Sequence, residues 1–483
     1  MENAPADEPD ALASQVLLCP IDPWPTVRVN KPSNDDEAPE YEDWDGLNLC
    51  QPTIDGTHHF EGYWSLESFM AEVEVALLAK IVDIPLTTYG ANHFGLFIQL
   101  EDHRAKVLAR LSRSDLNNPK CHPCAMKQQI KHDHFELATY RVLVTLGSPF
   151  NCEPLYHRDP IRKSRSLSFT HSPDISGRRL FIFAKAEGEH LHYGRWRALE
   201  DEQKDCLLIR SARLSAMQFR LTLPQHYVDA WLWERIFNTS RLPDGVKVEP
   251  TRDFCVALLK AEVEVTVGAT AAAASTARNL ELRDALIKLI PSVVPQPKDA
   301  EENDVLYRFA LDHGDFGVHN MTVTADPAGL PRVTSVFDWE GGSIVPAILT
   351  EPKMVVTVDL TIGRCGRPSI GRWGDGDTPD KMDEYEHWSE VYYSALFQKA
   401  PELRVVIARG LYARYMWFMM RKIRNETNQN TVAEDLEQLT RWVEKTTKAV
   451  DDDQFGHASA ELLRRPLELC HRGGGNMHCH CSP

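Results

Sequence analysis

The residues Phe309-Ala310-Leu311-Asp312-His313-Gly314-Asp315-Phe316-Gly317-Val318-His319-Asn320 carry the strongest chemical signal in this chain of 483 residues. An apolar, strand-like run leads into the pattern H-x-D-x4-N, formed by His313, Asp315 and Asn320. If each residue type fills about one position in twenty, chance gives roughly 0.06 such matches in a chain this long. The pattern alone is suggestive, and the residues C-terminal to it strengthen it. Met321–Thr324 reads as a strand, Asp326–Pro331 as a turn, and Val333–Phe337 as a returning strand. The midpoint between Asn320 and Asp338 is Gly329, inside the turn, so an antiparallel hairpin folded there sets Asn320 and Asp338 side by side at its open end. An amide oxygen and a carboxylate then converge beside Asp315.

That donor set suits Mg²⁺ bound to nucleotide phosphates, because hard cations take oxygen ligands and keep some waters. Asp315 would orient a substrate hydroxyl or amine and accept its proton. Each residue taken singly is also explained as structure: a buried, satisfied His313, with hairpin caps at Asn320 and Asp338. Only the constellation favours chemistry.

At these residues the sequence resembles the aminoglycoside phosphotransferase and choline kinase-like family, its fungal members most. His313–Asn320, the hairpin, and Val336-Phe337-Asp338-Trp339-Glu340 match that family's catalytic loop and its metal-binding Asp followed by an aromatic and Glu. The resemblance implies an α+β, bilobal protein-kinase-like fold, with a small mixed N-lobe and a larger, mostly helical C-lobe. It implies ATP and Mg²⁺ as cofactors, Asp315 as catalytic base with His313 beside it, and Asn320 and Asp338 as metal ligands. Glu340 is a weaker ligand candidate than a capping or solvated carboxylate.

The resemblance extends into the first lobe. Arg110, in Val107-Leu108-Ala109-Arg110, sits where the family has its phosphate-pairing Lys. Arg is a planar fork and Lys a point charge, so phosphate geometry would differ; a solvated strand residue is the alternative. Glu136 fits the helix carboxylate that pairs with that cation, or is a plain surface Glu. Tyr89–Gly95 offers Gly90 and Gly95 as a sparse phosphate loop. Leu180–Gly188 resembles the strand and hinge that hold adenine by backbone hydrogen bonds, which assigns that contact to Ala184 and Ala186.

The elements needed to hold these residues are legible as periodicities. Apolar spacing predicts a helix over 64–84, strands at Gly95–Leu100 and Lys106–Leu111 either side of the turn signal Glu101-Asp102-His103, and a helix in the second half of Cys121–Leu146. Leu180–Ala184 is a short buried strand, and helices dominate beyond it. The expected domains are an acidic, Pro-rich extension over 1–60, ordered in part at most; a nucleotide-binding lobe over 61–187; a catalytic lobe over 188–450; and a flexible tail over 451–483. An insertion at 240–303 holds two helices, Phe254–Val267 and Leu280–Ile290, the second ended by Pro291. The aromatic and Met-rich run 411–420 is a buried helix.

Composition excludes several alternatives. With 43% hydrophobic and 25% charged residues the chain is globular. No apolar run approaches the ~20 residues of a membrane helix, and the N-terminus lacks a secretory signal. Eleven scattered cysteines suit reduced thiols in the cytoplasm. Net charge is −17, of which residues 1–46 contribute −10, twelve acids against Arg28 and Lys31; this argues against nucleic acid as a partner. Cys121-His122-Pro123-Cys124 and Met477-His478-Cys479-His480-Cys481 hold metal-ligand residue types without the second spaced pair a structural zinc needs, and are read as free thiols and a tail. The function expected is ATP- and Mg²⁺-dependent phosphoryl transfer to a small molecule. The alternative is a kinase-fold pseudoenzyme that binds nucleotide or protein partners. The tripeptides His157-Arg158-Asp159, Asp315-Phe316-Gly317 and Ala400-Pro401-Glu402 occur, but the loop His313–Asn320 is not of H-R-D form and the D-F-G falls inside that loop instead of after it, so no D-F-G and A-P-E pair frames an activation loop, which disfavours a protein kinase.

Overall fold

The computed structural model describes residues 19–29, 40–50, 59–101, 106–148, 152–163, 174–237, 246–270, 276–362, 368–374, 376–426 and 428–451. They divide into a sheet unit, reaching to Glu187 and joined by Thr334–Glu340, and a helical unit comprising Gly188–Val333 and the chain from Gly341 onward. The expected tail over 451–483, with its His/Cys cluster, lies outside the described residues apart from Asp451. So do residues 102–105 and 271–275.

In the sheet unit, β1 (Thr26–Val29) and β2 (Glu40–Asp43) pair antiparallel ahead of helix α1 (Leu66–Leu77). Ser65 caps α1, accepting the backbone N–H of Ser68, and Leu66, Phe69 and Val73 form its buried stripe. The helix is shorter than its apolar spacing predicts. Leu78 turns left-handed (φ 53°), and the branched residues Ile81, Val82 and Ile84 begin β3 (Ile81–Tyr89) instead. Strands β4 (His93–Leu100) and β5 (Lys106–Ser112) come next, then α2 (Pro123–Thr145), β6 (Pro154–Arg158) and β7 (Leu180–Ala184). The five strands form one antiparallel sheet in the order β3-β4-β5-β7-β6. Pro85 sits in the register shift of β3, an edge strand, where its missing N–H is tolerated.

Alternation on β5 decides where chemistry can occur. Val107, Ala109 and Leu111 enter the core shared with α1, Trp64 and Phe94. Arg110 therefore faces the other side of the sheet, the side on which Tyr140 of α2 meets Phe183 edge-on at 5.1 Å between ring centroids. The stretch expected as an extension contributes to the first core. Trp24 stacks on Trp44, Trp44 and Leu49 are buried in the cluster, and Asp22 pairs with the fully buried Arg178.

The helical unit opens with β8 (Glu189–His190), α3 (Tyr193–Arg197), α4 (Asp201–Phe219) and α5 (Gln225–Phe237). Then come α6 (Arg252–Thr270), α7 (Thr276–Val293) and α8 (Ala300–Tyr307). α7 runs past Pro291, the Val294 N–H still reaching the Ile290 carbonyl at 3.0 Å. β9 (Phe309–Asp312) leads into the H-x-D-x4-N loop, and β10 (Met321–Ala325) pairs with β8. A turn closed by Gly329 (φ 81°) starts β11 (Pro331–Val336), which leaves the unit at Val333. β12 (Ser343–Pro346) pairs with β9, and the small hairpin β13 (Leu360–Ile362) and β14 (Pro368–Ile370) precedes α9 (Met382–Lys399), α10 (Glu402–Arg409), α11 (Leu411–Asn425) and α12 (Gln429–Asp451). α11 buries Met416, Trp417, Met419 and Met420, and Arg424 near its end pairs at 2.7 Å with the fully buried Glu262 of α6. No helix among the described residues is long and apolar enough to cross a membrane.

Candidate active site

In the helical unit the loop after β9 is built on Gly314. Its φ of 77° is the left-handed region, and a Cβ there would lie 2.4 Å from the Gly341 carbonyl oxygen. Only glycine permits that approach. The turn projects Asp315 outward, 62% exposed, while His313 is buried against the Phe316 ring. Asn320 is buried, and its amide nitrogen donates to the Asp315 carbonyl (2.9 Å) and to Asp315 Oδ2 (3.4 Å). With that nitrogen committed, Oδ1 is the atom left for a cation.

A partner missed by sequence reading is His319. Its Nε2 lies 3.0 Å from Asp315 Oδ2, its Nδ1 2.7 Å from the Tyr193 hydroxyl, and its carbonyl 2.5 Å from His190 Nε2. With Nε2–H donating to the carboxylate, Nδ1 accepts from Tyr193, which fixes the tautomer. The His319 hydrogen bond holds Asp315 below the usual aspartate range, overcoming the upward effect of burial. Tyr193 is distant in sequence, so no spacing signals it.

The sheet unit brings together three of the predicted residues. Arg110 Nη1 donates to Glu136 Oε1 at 2.7 Å, and Nη2 to Asp338 Oδ1 at 3.1 Å. Arg110 is 15% exposed and Glu136 wholly buried, so neither is a surface residue. Burial pushes the Glu136 carboxyl up, and the adjacent Arg110 pulls it down. Tyr140, one turn along α2 from Glu136, links them further: its hydroxyl donates to Glu136 Oε1 (3.2 Å) and accepts the Asp338 backbone N–H (3.1 Å). Asp338 has φ 69°, unusual for a residue with a side chain and stabilised here by these contacts.

Around this group, Arg179 chelates Asp133 through both carboxylate oxygens at 2.8 Å, and Asn92 donates to Glu340 at 2.8 Å. Burial raises Asp133 to about 6 against the pull of Arg179. Carboxylate oxygens of Asp133, Glu136 and Glu340 lie within 4.8 Å of one another. Four carboxylates thus face two guanidinium groups, and Glu136 Oε2 is buried without a hydrogen-bond partner. This all-oxygen, net-negative donor set fits a divalent hard cation.

The remaining predicted residues frame the sheet. Gly90, at the β3–β4 turn, donates its N–H to the His93 carbonyl, and its own carbonyl accepts from Arg113 Nη1 at 2.8 Å; Gly95 pairs across from Arg110. Ala184 bonds through its N–H to the Glu153 carbonyl (3.0 Å), and the Ala186 backbone faces the Cys152 thiol. Asp315 and Asn320 belong to the helical unit, Asp338 to the sheet unit.

No family model matches the sequence, and no curated protein matches it. Among solved structures the chain is similar to APH(2'')-IIa in its ternary complex with streptomycin and ATP, at 11% identity over 78% of this chain and 96% of that one, TM-score 0.39. It is likewise similar to ADP-bound aminoglycoside phosphotransferase APH(2'')-Ib, at 12% identity over 78% and 96%, TM-score 0.39. A third is the GDP and kanamycin complex of APH(2'')-IIIa, at 14% identity over 77% and 97%, TM-score 0.38. What this chain can do is decided by its own residues.

Proposed function

We propose that this chain is an ATP- and Mg²⁺-dependent phosphotransferase acting on a hydroxyl or amine of a small molecule. The sheet unit is assigned to the nucleotide and the helical unit to the catalytic loop. The observation that carries the reading is the Arg110–Glu136 ion pair: a largely buried cation set by a helix carboxylate.

In this reading Asp315, kept ionised by His319, orients the acceptor and takes its proton as the new P–O bond (P–N for an amine) forms and the bond to the leaving diphosphate breaks. Arg110 neutralises phosphate charge. Asp338 is the residue of the sheet unit that would hold Mg²⁺, which would supply charge neutralisation at the transferring phosphoryl group, and Asn320 offers an amide oxygen of the kind such a cation takes.

One observation favours the nucleotide-binding alternative. Arg110 spends its second nitrogen on Asp338, so cation and metal ligand satisfy each other. A thermal-shift screen of nucleotides with and without Mg²⁺, followed by phosphorylation profiling of a metabolite extract with Mg²⁺-ATP, separates the two. Stabilisation by Mg²⁺-ATP with a phosphorylated product supports transfer. Stabilisation without any product, or with none of the nucleotides, contradicts it.

A further inference from the structure

On the sheet unit, α2 carries a second cluster beside the Glu136 face. His134 Nε2 lies 2.9 Å from both Asp159 oxygens, and His157 Nε2 lies 3.5 Å from Asp159 Oδ1. The two imidazoles meet edge to face, centroids 5.6 Å apart, and all three ligand atoms fall within 4.8 Å of one another. His134 and Asp159 are half exposed, whereas the His157 side chain is nine-tenths buried.

A plain His134–Asp159 ion pair explains two of these residues but not the third. His157 Nε2 is buried, aimed at the carboxylate, and makes no hydrogen bond. A buried polar atom left this way is destabilising unless a ligand satisfies it. Bound to a first-row divalent ion at about 2.0–2.2 Å per ligand, neighbouring donor atoms sit roughly 3.3 Å apart, so the separations present need only modest side-chain adjustment.

We propose that His134, His157 and Asp159 form a three-ligand site for a borderline divalent cation of the zinc class. Two imidazoles and one carboxylate suit Zn²⁺, Co²⁺ or Ni²⁺ rather than Mg²⁺. The exposed edge of His134 and Asp159 leaves room for water as the remaining ligand. Local cations are largely committed: Arg179 to Asp133, and Arg158 to Glu72 and backbone carbonyls. His134, Arg141 and Arg179 still act as opposing charges on His157, against the favourable pull of Asp159. Bound metal ties α2 to the chain at the end of β6, bracing the helix that holds Glu136.

The test uses the full chain, stripped with chelator and dialysed against micromolar Zn²⁺, with zinc per chain measured for wild type, His134→Gln and Asp159→Asn. Both substitutions alter half-exposed side chains, and the second is isosteric. Wild type is expected to hold one zinc equivalent more than either variant, and zinc to raise the melting temperature of wild type by several degrees and of neither variant. Equal zinc content in all three proteins, at whatever value, overturns the site, as does an equal thermal shift. Because the cysteine and C-terminal clusters are intact in every protein, they cancel in the comparison.

Discussion

Arg110 divides its guanidinium between Glu136 and Asp338, a geometry that a lysine ammonium cannot reproduce. Removing it leaves Glu136 as an uncompensated buried carboxylate. Arg110→Ala should therefore cost stability, approaching about 3–5 kcal/mol only at pH values above neutral where Glu136 would be ionised in wild type. The sign of its pH dependence comes from Glu136, whose folded pKa already lies above its ordinary 4.5 through burial and rises further without Arg110. The penalty should be nearly constant below about pH 7, where Glu136 stays protonated in both folded proteins, and grow as pH rises past it. Urea unfolding of wild type and variant at several pH values checks this; a penalty independent of pH contradicts it. At the other carboxylate the sign is reversed. His319 holds Asp315 below its ordinary 3.8, so His319→Gln should move the acid limb of ATP turnover to higher pH. An unmoved limb means that Asp315 does not titrate in the rate.

The elements show which physical signals a sequence carries. Leu180–Ala184 is readable as a strand because four consecutive residues are buried, and the Met321–Val336 hairpin because its turn chemistry is explicit. The helix over 64–84 is overextended because Leu77, Leu78 and Ile81 keep helical spacing while Leu78 takes a left-handed backbone. The acidic stretch before residue 60 hides its packing, since charge dominates its composition and the described residues that dock, among them Trp24, Trp44 and Leu49, are isolated in it. Trp44 stacks on Trp24 at 5.4 Å and meets Phe60 edge-on at 5.8 Å. Trp44→Ala should cost about 3–5 kcal/mol, as for other buried aromatic truncations. A loss under about 1 kcal/mol in urea unfolding would return this stretch to the status of an appendage. At the site, Asp315, Asn320 and Asp338 are legible through motif spacing, Arg110 and Glu136 through the family resemblance, and Asp133 through neither. Tyr140, Arg179 and Tyr193 are not legible either, because their roles arise from contacts between residues far apart in the chain.

For the molecule as a whole, the proposed function would require two separable contributions, chemistry from Asp315 and metal-dependent nucleotide binding from Asp338. Asp338 has a left-handed backbone, so Asp338→Asn is the cleaner probe: Asn tolerates that conformation and loses only the charge. Asp315→Asn likewise keeps shape and hydrogen bonding. The most direct measurement is ATP affinity with and without Mg²⁺, together with phosphate release from ATP with water as acceptor, in wild type and both variants. Asp315→Asn should bind Mg²⁺-ATP as wild type does while turnover falls roughly 10²–10⁴-fold. Asp338→Asn should lose the dependence of ATP affinity on Mg²⁺. Turnover that survives Asp315→Asn, or Mg²⁺ dependence that survives Asp338→Asn, contradicts the phosphotransferase account.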